Sequence, residues 1–135
     1  MAIEIHRVTL ISVTGESTAA EFALNDSKSE YELTLRFLDN ELRSSESDYF
    51  EAMCRLREQL EPFGLQPYCY GASKNVFPSG MGRDMGAGLK AYKLRLGERT
   101  KMEDLVSIFD SGLDVEPARV AEQRTFFEQW LKSLK

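Results

Sequence analysis

The spacing of apolar residues changes from a period of two to a helical period within the first half of the chain, which restricts the folds available to it. Residues 31–37 alternate apolar and polar side chains, so they predict a half-buried β-strand. Residues 50–60 instead place their apolar side chains on one helical face. The two patterns consist of Tyr31, Leu33, Leu35 and Phe37, and then of Phe50, Met53, Leu56 and Leu60. Both patterns are satisfied when a sheet and a helix share one apolar core.

Capping and turn-forming residues bound this helix and indicate a second one. Ser45 or Ser47 can cap the first turn, and Pro62 with Gly64 ends the last. Near the C-terminus, Pro117 favours a helix start and is followed by one broad apolar stripe. The stripe consists of Val120, Phe126, Phe127, Trp130, Leu131 and Leu134. We expect this second helix to lie against the sheet.

Further strand-like patterns occupy residues 3–13, 65–70 and 91–96. Residues 20–24 form either a short strand or an extended connection. For residues 105–109 we favour a strand, although the preceding Thr100-Lys-Met-Glu103 would suit the capping box of a short helix.

The order of these elements predicts an α+β fold, in which an antiparallel sheet of about four to five strands carries two helices on one face. The length of 135 residues favours a single domain over residues 1–135. Hydrophobic residues make up 42% and charged residues 29% of the chain, and no apolar run approaches the length of a membrane span. The N-terminus has no apolar stretch of signal-peptide length, so we expect a cytoplasmic protein.

A glycine-rich segment over residues 71–88 is the clearest candidate for function. It holds five of the nine glycines, and we expect it to form a long loop that joins two strands. Residues 70–101 contain seven Lys or Arg against two Asp or Glu, whereas the whole chain has a formal charge of -5. The segment therefore presents a basic region to anionic partners, or alternatively these bases neutralise acidic strands of the same molecule.

Several kinds of chemistry find little support in the residues. His6 is the only histidine, and Cys54 and Cys69 are far apart and set among apolar neighbours, so we expect no metal site and two buried thiols. Ser79 lacks the glycine two residues before it that a nucleophile elbow requires. We expect no catalytic residues and no cofactor.

The glycines over residues 80–86 also depart from the nucleotide-binding patterns. Gly80-Met-Gly82-Arg-Asp-Met-Gly86 is one residue longer than the dinucleotide fingerprint, and it precedes a predicted strand instead of opening a helix. No Gly-Lys-Ser/Thr motif is present. A looser anion site remains open, in which backbone amides of residues 79–88 act with Lys74 and Arg83.

The run Tyr70-Gly-Ala-Ser-Lys-Asn-Val-Phe-Pro-Ser-Gly-Met81, with residues 85–92, resembles the loop signature of a family of small uncharacterised bacterial proteins. The resemblance covers mainly residues 65–97. It implies a bacterial cytoplasmic setting and carries no catalytic residue, cofactor or substrate.

The residue types favour a non-catalytic protein-interaction domain, with an inhibitor or immunity-type role as one form of it. Methionines supply adaptable apolar contact, Phe77 can anchor in a partner, and the bases can set the register against an acidic surface. The candidate binding residues are Lys74, Phe77, Ser79, Gly80, Met81, Gly82, Arg83 and Met85.

Two alternatives use the same segment differently. It can bind a small anionic ligand or nucleotide, or it can be a structural loop that folds Val76, Phe77 and the methionines over one end of the core. A homodimer through an edge strand or the last helix is a separate possibility. Nucleic acid is disfavoured as a partner by the pI of about 5.0.

Overall fold

The computed structural model describes residues 4–26 and 30–135. Its first four strands form an antiparallel meander: β1 (Glu4–Ser12), β2 (Ser17–Asp26), β3 (Tyr31–Phe37) and β4 (Asn40–Glu46). The short β5 (Leu65–Pro67) pairs with β1 and completes a five-stranded sheet in the order β4-β3-β2-β1-β5. The alternation in β3 produces the predicted half-buried strand, because Leu33, Leu35 and Phe37 are buried while Arg36 is exposed.

The strand predictions differ from the structure mainly at their ends. Residues 20–24 belong to a full strand, not an extended connection. Ile3 lies outside the described residues, and Val13 lies beyond the end of β1. The sequence analysis missed β4, because it is a polar edge strand that contributes Leu42 opposite Leu35 as its apolar pair.

Helix α1 (Tyr49–Leu60) covers the face of the sheet formed by β3 and β4. Phe50, Met53, Leu56 and Leu60 are fully buried beneath it, as their spacing predicts. The N-cap is Asp48, whose carboxylate accepts from the Glu51 amide at 2.7 Å, so the expected serine caps were wrong. Ser45 is part of β4, which places it too early to cap the helix. At the other end, Pro62 lies in a 3-10 turn and Gly64 adopts φ 69°.

A second antiparallel sheet, in the order β6-β7-β8, contains β6 (Val76–Phe77), β7 (Lys90–Lys93) and β8 (Leu105–Ser107). The strand predicted over 105–109 is therefore present in β8, preceded by a 3-10 turn over Met102–Asp104. The strand predicted over 65–70 ends earlier, since Tyr70 begins another 3-10 turn over Tyr70–Ala72.

Helix α3 (Val120–Ser133) packs against β6 and α1, which defines the position of the predicted C-terminal helix. The α+β class and the antiparallel sheet of five strands are confirmed. Buried residues of both sheets and of α1 belong to one apolar cluster, which extends from Leu10 in β1 to Val76 in β6 and Ile108 after β8. The glycine-rich segment therefore contributes β6 to the second sheet and packs against α3.

Candidate interaction surface

The glycine-rich segment over residues 71–88 is folded along most of its length, which corrects the prediction of a long irregular loop. It contains β6 and a short helix, α2 (Gly80–Met85). Ser79 caps α2 because its backbone is extended and its hydroxyl accepts from the Gly82 amide at 2.9 Å. The expectation that these glycines open no helix was therefore wrong, because Ser79 caps a short helix that begins at Gly80.

Two buried polar side chains hold the beginning of the segment. Gln123 of α3 donates from Nε2 to three backbone carbonyls, those of Gly71 at 3.1 Å, Ser73 at 2.9 Å and Val76 at 2.8 Å. Its Oε1 accepts from Arg57 of α1 at 2.6 Å, and Arg57 also donates to the Ala118 carbonyl at 2.6 Å. This network fixes the path of residues 71–76, because buried carbonyls that lose their donors are costly.

Neither member of this network was predicted as a site residue, although the sequence contains a signal for both. Arg57 lies seven residues after Phe50 and four after Met53, so it falls on the apolar face of α1. Gln123 lies three residues after Val120 and four before Phe127, within the apolar stripe of α3. A polar residue inside an apolar stripe indicates a buried hydrogen-bonded group.

Arg83 attaches α2 to the start of α1. Its Nε lies 2.7 Å from Asp48 Oδ2, its Nη2 lies 3.0 Å from Glu51 Oε1, and the guanidinium lies 5.5 Å from the centre of the Phe50 ring. Burial alone would lower the pKa of Arg83, but the hydrogen bonds to Asp48 and Glu51 hold it above its ordinary value. The charge expected to meet a partner is therefore neutralised by two carboxylates of this chain.

Other bases of residues 70–101 are paired in the same way. Lys93 Nζ lies 2.7 Å from Asp114 Oδ2, and Arg95 Nη1 lies 3.0 Å from Asp104 Oδ1. Lys74 is exposed, with its Nζ 5.9 Å from the centre of the Phe126 ring. Three of the seven bases in residues 70–101, namely Arg83, Lys93 and Arg95, are thus paired inside the molecule, which agrees in part with the alternative left open above.

Phe77 belongs to an aromatic row that joins α1, β6 and α3. Its ring meets Phe50 edge to face at 5.1 Å and stacks on Phe127 at 4.0 Å, and Phe127 in turn lies 6.0 Å from Trp130. Phe77 is half-buried by these contacts. Its ring is part of the floor of a surface feature rather than a protruding anchor.

That feature is a groove of about 230 Å³ between the start of α2, β7 and α3. Its lining is mainly apolar and aromatic. We call it the aromatic groove, and it is lined by Phe77, Pro78, Ser79, Gly80, Tyr92, Leu94, Thr100, Phe127, Trp130 and Leu131. Predicted residues Phe77, Ser79 and Gly80 therefore meet there, whereas Lys74, Gly82 and Arg83 lie outside the lining.

The wall of the aromatic groove is held by two hydrogen bonds between α3 and the segment after β7. Trp130 Nε1 donates to the Glu98 carbonyl at 2.9 Å, and the Gly97 amide donates to Ser133 Oγ at 2.7 Å. Gly97 has φ 80°, which closes the tight turn between Arg95 and Glu98. The groove is a preformed concavity, because its rings and its edge are both fixed by contacts within the chain.

Exposed apolar side chains lie beside the aromatic groove. Met81 and Met85, four apart on α2, are 72% and 82% exposed. Leu131 at the groove itself is 45% exposed, and Leu96 in the adjacent turn is 54% exposed. These side chains lie on, or next in sequence to, the elements that border the aromatic groove.

The residues considered for catalysis and metal binding are placed elsewhere. His6 lies in β1, where Nε2 bonds to Glu4 and the ring stacks on Phe109 at 4.5 Å. Cys54 and Cys69 are free, buried thiols, and burial raises the pKa of Cys54 and raises that of Cys69 to about 11. Within residues 4–26 and 30–135, no group of three or more His, Cys, Asp or Glu side chains is placed to hold a metal ion.

Comparison with known proteins finds no protein-family model that matches this sequence, and no curated protein that matches it significantly. Over the described parts of the chain, none of the helices combines the length and the apolar character needed to cross a membrane.

Proposed function

We propose that this chain is a non-catalytic protein-interaction domain that binds its partner through the aromatic groove and the adjacent Met81 and Met85. The observation that carries the proposal is the coincidence of a preformed aromatic concavity with exposed apolar side chains on the elements that border it. Protein interfaces are enriched in Trp, Tyr, Phe and Met at their buried centres. The groove contains the first three, and α2 supplies the fourth.

The size of the aromatic groove favours a protein side chain as its occupant. At about 230 Å³ it is smaller than the range of roughly 300–1,000 Å³ typical of small-molecule pockets. An apolar side chain from a partner fits this scale, since interface hot spots are usually single large residues seated in preformed pockets. The methionines of α2 then contact the surface around that anchor and adapt to its shape.

The charges around the aromatic groove are mixed, because the exposed acids Glu98 and Glu103 lie in the same stretch as two exposed bases. Arg99 and Lys101 are exposed and flank Thr100, which lines the groove. Lys74 supplies a further exposed ammonium group on the segment that leads into β6. An inhibitor or immunity-type role remains the finer form of the proposal, and it rests on analogy with other small acidic α+β proteins.

The alternative, a small anionic ligand at residues 71–88, has weaker geometric support. Arg83 is already paired with Asp48 and Glu51, and the Gly82 amide donates to Ser79. α2 has six residues, so it lacks the length of a helix whose N-terminus attracts anions strongly. A thermal shift with nucleotides or phosphorylated metabolites that disappears in Lys74→Ala would favour this alternative over the protein-binding proposal.

The proposal is tested by site-specific photocrosslinking in cells. A benzophenone side chain is placed at position 85 or 131, and at positions 13 and 113 as controls, because Val13 and Leu113 are fully accessible residues away from the groove. We expect positions 85 and 131 to capture the same discrete partner and the controls to miss it. Identical capture at all four positions, or none at any, contradicts the proposal.

The captured partner is then purified and its affinity measured by calorimetry. Leu131→Asp places a charge at the centre of the apolar contact, so the dissociation constant should rise at least about tenfold. Val13→Asp is the matched control and should bind as the parent does. An unchanged affinity for Leu131→Asp would show that the partner binds elsewhere.

A further inference from the structure

Strand β4 lies at one edge of the five-stranded sheet, and the backbone groups on its outer side are open. A two-residue turn joins β3 to β4, and Phe37 pairs with Asn40 on either side of it. In such a hairpin the pair next to the turn exchanges hydrogen bonds, and the bonded pairs then alternate along the strands. The N–H and C=O groups of Glu41 and Arg43 therefore point away from the sheet. No backbone group within residues 4–26 and 30–135 bonds to them.

The side chain of Gln59 reaches this edge from α1. Its Nε2 donates to the Arg43 carbonyl at 2.9 Å, which agrees with the outward direction of that carbonyl. A carbonyl oxygen accepts two hydrogen bonds, so it can take a second donor. The exposed side chains of Glu41 and Arg43 lie on the face of the sheet opposite α1, since Leu42 between them packs against the core. The edge is therefore accessible to another strand.

Charged side chains form an alternating row across this outer face of the sheet. Arg7 of β1 lies opposite Glu21 of β2. Glu21 lies opposite Arg36 of β3, and Arg36 lies opposite Glu41 of β4 and donates to it at 2.9 Å. The row therefore ends on an acid at the edge, and Arg43, two positions along β4, presents the opposite charge on the same face.

From these observations we propose that a second copy of this chain pairs with β4 in an antiparallel, two-fold symmetric arrangement centred on Leu42. Glu41 then lies opposite Arg43 of the second copy, and Arg43 lies opposite Glu41 of the second copy, so the alternation of charge continues across the interface. These two pairs also exchange backbone hydrogen bonds, because their open groups face each other. The two Leu42 side chains, half-buried in the single chain, meet at the axis on the other face and lose their remaining contact with water.

The charges of β4 select one register of this pairing. Charged side chains at an edge usually prevent strand pairing. An axis at Glu41 or at Arg43 would bring like charges face to face, whereas the axis at Leu42 joins opposite charges twice. This interface is independent of the protein-binding surface proposed above, because no residue of β4 lines the aromatic groove.

Sedimentation equilibrium of the full-length chain tests the proposal. We expect a reversible monomer–dimer equilibrium with a dissociation constant below about 500 µM, because a small interface of this kind associates weakly. Amide hydrogen exchange at Glu41 and Arg43 should slow as the protein concentration rises, because both amides become hydrogen-bonded in the dimer. A chain that stays monomeric up to that concentration, or a dimer with unchanged exchange at both amides, overturns the proposal.

Two charge reversals identify the register. Glu41→Arg and Arg43→Glu each place like charges opposite each other twice in the dimer, so each variant alone should associate at least about tenfold more weakly. An equimolar mixture of the two should associate about as tightly as the parent, because both pairs across the axis again join opposite charges.

Glu21→Arg and Arg7→Glu are the matched controls for these reversals. They make the same changes in net charge on the same face, at exposed positions away from the β4 edge, and should leave association unchanged. Association that survives both reversals overturns the proposal. It is also overturned by a mixture that fails to associate although both variants unfold as cooperatively as the parent.

Discussion

Arg57 and Gln123 determine how the two halves of the chain meet at the level of single residues. The Arg57 guanidinium is buried, and burial lowers its pKa because no carboxylate among the described residues pairs with it. Its Nε has no hydrogen-bond partner within the described parts of the chain. Its two terminal nitrogens donate to Gln123 Oε1 and to the Gly71 and Ala118 carbonyls, and these contacts compensate its charge. A buried polar network of this kind is stable only when both members are present.

Gln123→Leu should therefore destabilise the fold although the volume changes little. It removes the acceptor for Arg57 and the donor for three buried carbonyls, so we expect the free energy of unfolding to fall by about 2–4 kcal/mol. Urea denaturation followed by circular dichroism measures the loss. Gln129→Leu, at an exposed position of α3, is the control and should stay within about 0.5 kcal/mol of the parent. Equal stability of the two variants would contradict the role of the network.

Gly88 is the second residue whose identity the tertiary structure requires. It has φ 70°, and an added Cβ would lie 3.0 Å from the Asp48 carboxylate and 3.0 Å from the Phe50 amide. Gly15 offers a matched comparison, because it has φ 87° with no atom within 4 Å of an added Cβ. Both positions need a left-handed backbone, but only at Gly88 would an added Cβ come too close to other atoms.

Gly88→Ala should consequently cost more stability than Gly15→Ala. The left-handed backbone accounts for about 1 kcal/mol in each variant, and the clash with the cap of α1 adds about 1–3 kcal/mol at position 88. Chemical denaturation of both proteins gives the difference. If the free energy of unfolding falls less for Gly88→Ala than for Gly15→Ala, the residues around Asp48 move aside without loss of stability.

Helix α2 is the element whose position depends most on one side chain. With six residues it is too short to be stable by itself, so the Ser79 cap and the Arg83 ion pairs must hold it. Asp48 caps α1 and also receives Arg83, which links the starts of two helices through a single carboxylate. The positions of the exposed Met81 and Met85 therefore depend on this link.

Arg83→Ala should release α2 while the rest of the fold persists. We expect the unfolding free energy to fall by about 1–3 kcal/mol, because the nearly buried Asp48 carboxylate loses its cation. Hydrogen exchange should become faster at the α2 amides and stay unchanged at the β2 and β3 amides. Arg43→Ala removes a pair in which both side chains are substantially exposed, so it should cost less than about 1 kcal/mol and leave α2 protected. Unchanged exchange in α2 for Arg83→Ala would contradict the role of this link.

At the scale of the whole molecule, carboxylates on one element form ion pairs or hydrogen bonds with side chains of other elements. Glu51 of α1 bonds to Arg83 of α2 at 3.0 Å and to Arg124 of α3 at 3.3 Å, so it joins three helices. Asp114 ties the segment before α3 to the second sheet and to the 3-10 turn at Tyr70. It accepts from Tyr70 Oη at 2.7 Å and lies 2.7 Å from Lys93 Nζ.

These contacts predict an acid-dependent part of the stability. Hydrogen bonds from Lys93 and Tyr70 lower the pKa of Asp114 from 3.8 to about 2. The stabilisation is therefore fully present above the ordinary pKa of an aspartate, and it is lost as the pH falls through about 2. Because Asp114 is 52% exposed, solvent screening limits the effect to about 1 kcal/mol or less.

Asp114→Asn tests this prediction. The parent should be more stable than the variant at pH 6, and the difference should disappear between about pH 4 and pH 2 in denaturation curves. Asp110→Asn, an exposed carboxylate on the same segment, is the control. A difference that does not change with pH would show that Asp114 acts through packing instead of charge.

The amino-acid sequence by itself determined some of the local elements of this protein, most clearly β3 and α1. Strict alternation in residues 31–37 and helical spacing in residues 50–60 predicted β3 and α1, and the mixture of such patterns predicted the α+β class. The reason is physical, because the period of an apolar face depends only on the geometry of one strand or one helix. Capping residues were harder to predict, since Ser45, Ser47 and Asp48 all suit a helix start. The extent of β4 excludes Ser45, and Asp48 is the cap because its carboxylate accepts from the Glu51 amide.

Only the tertiary structure decided which charged side chains are paired within the chain, which stay unpaired at the surface, and which groups share a site. Arg83 meets Asp48 across 35 positions of sequence, and Arg57 meets Gln123 across 66. Lys93 and Asp114, or Phe77 and Trp130, are likewise brought together by chain packing rather than by any local pattern. A basic or apolar residue looks the same in sequence whether its partner is a distant residue of its own chain or another molecule. The contacts that separate the two cases exist only once the sheets and helices have packed.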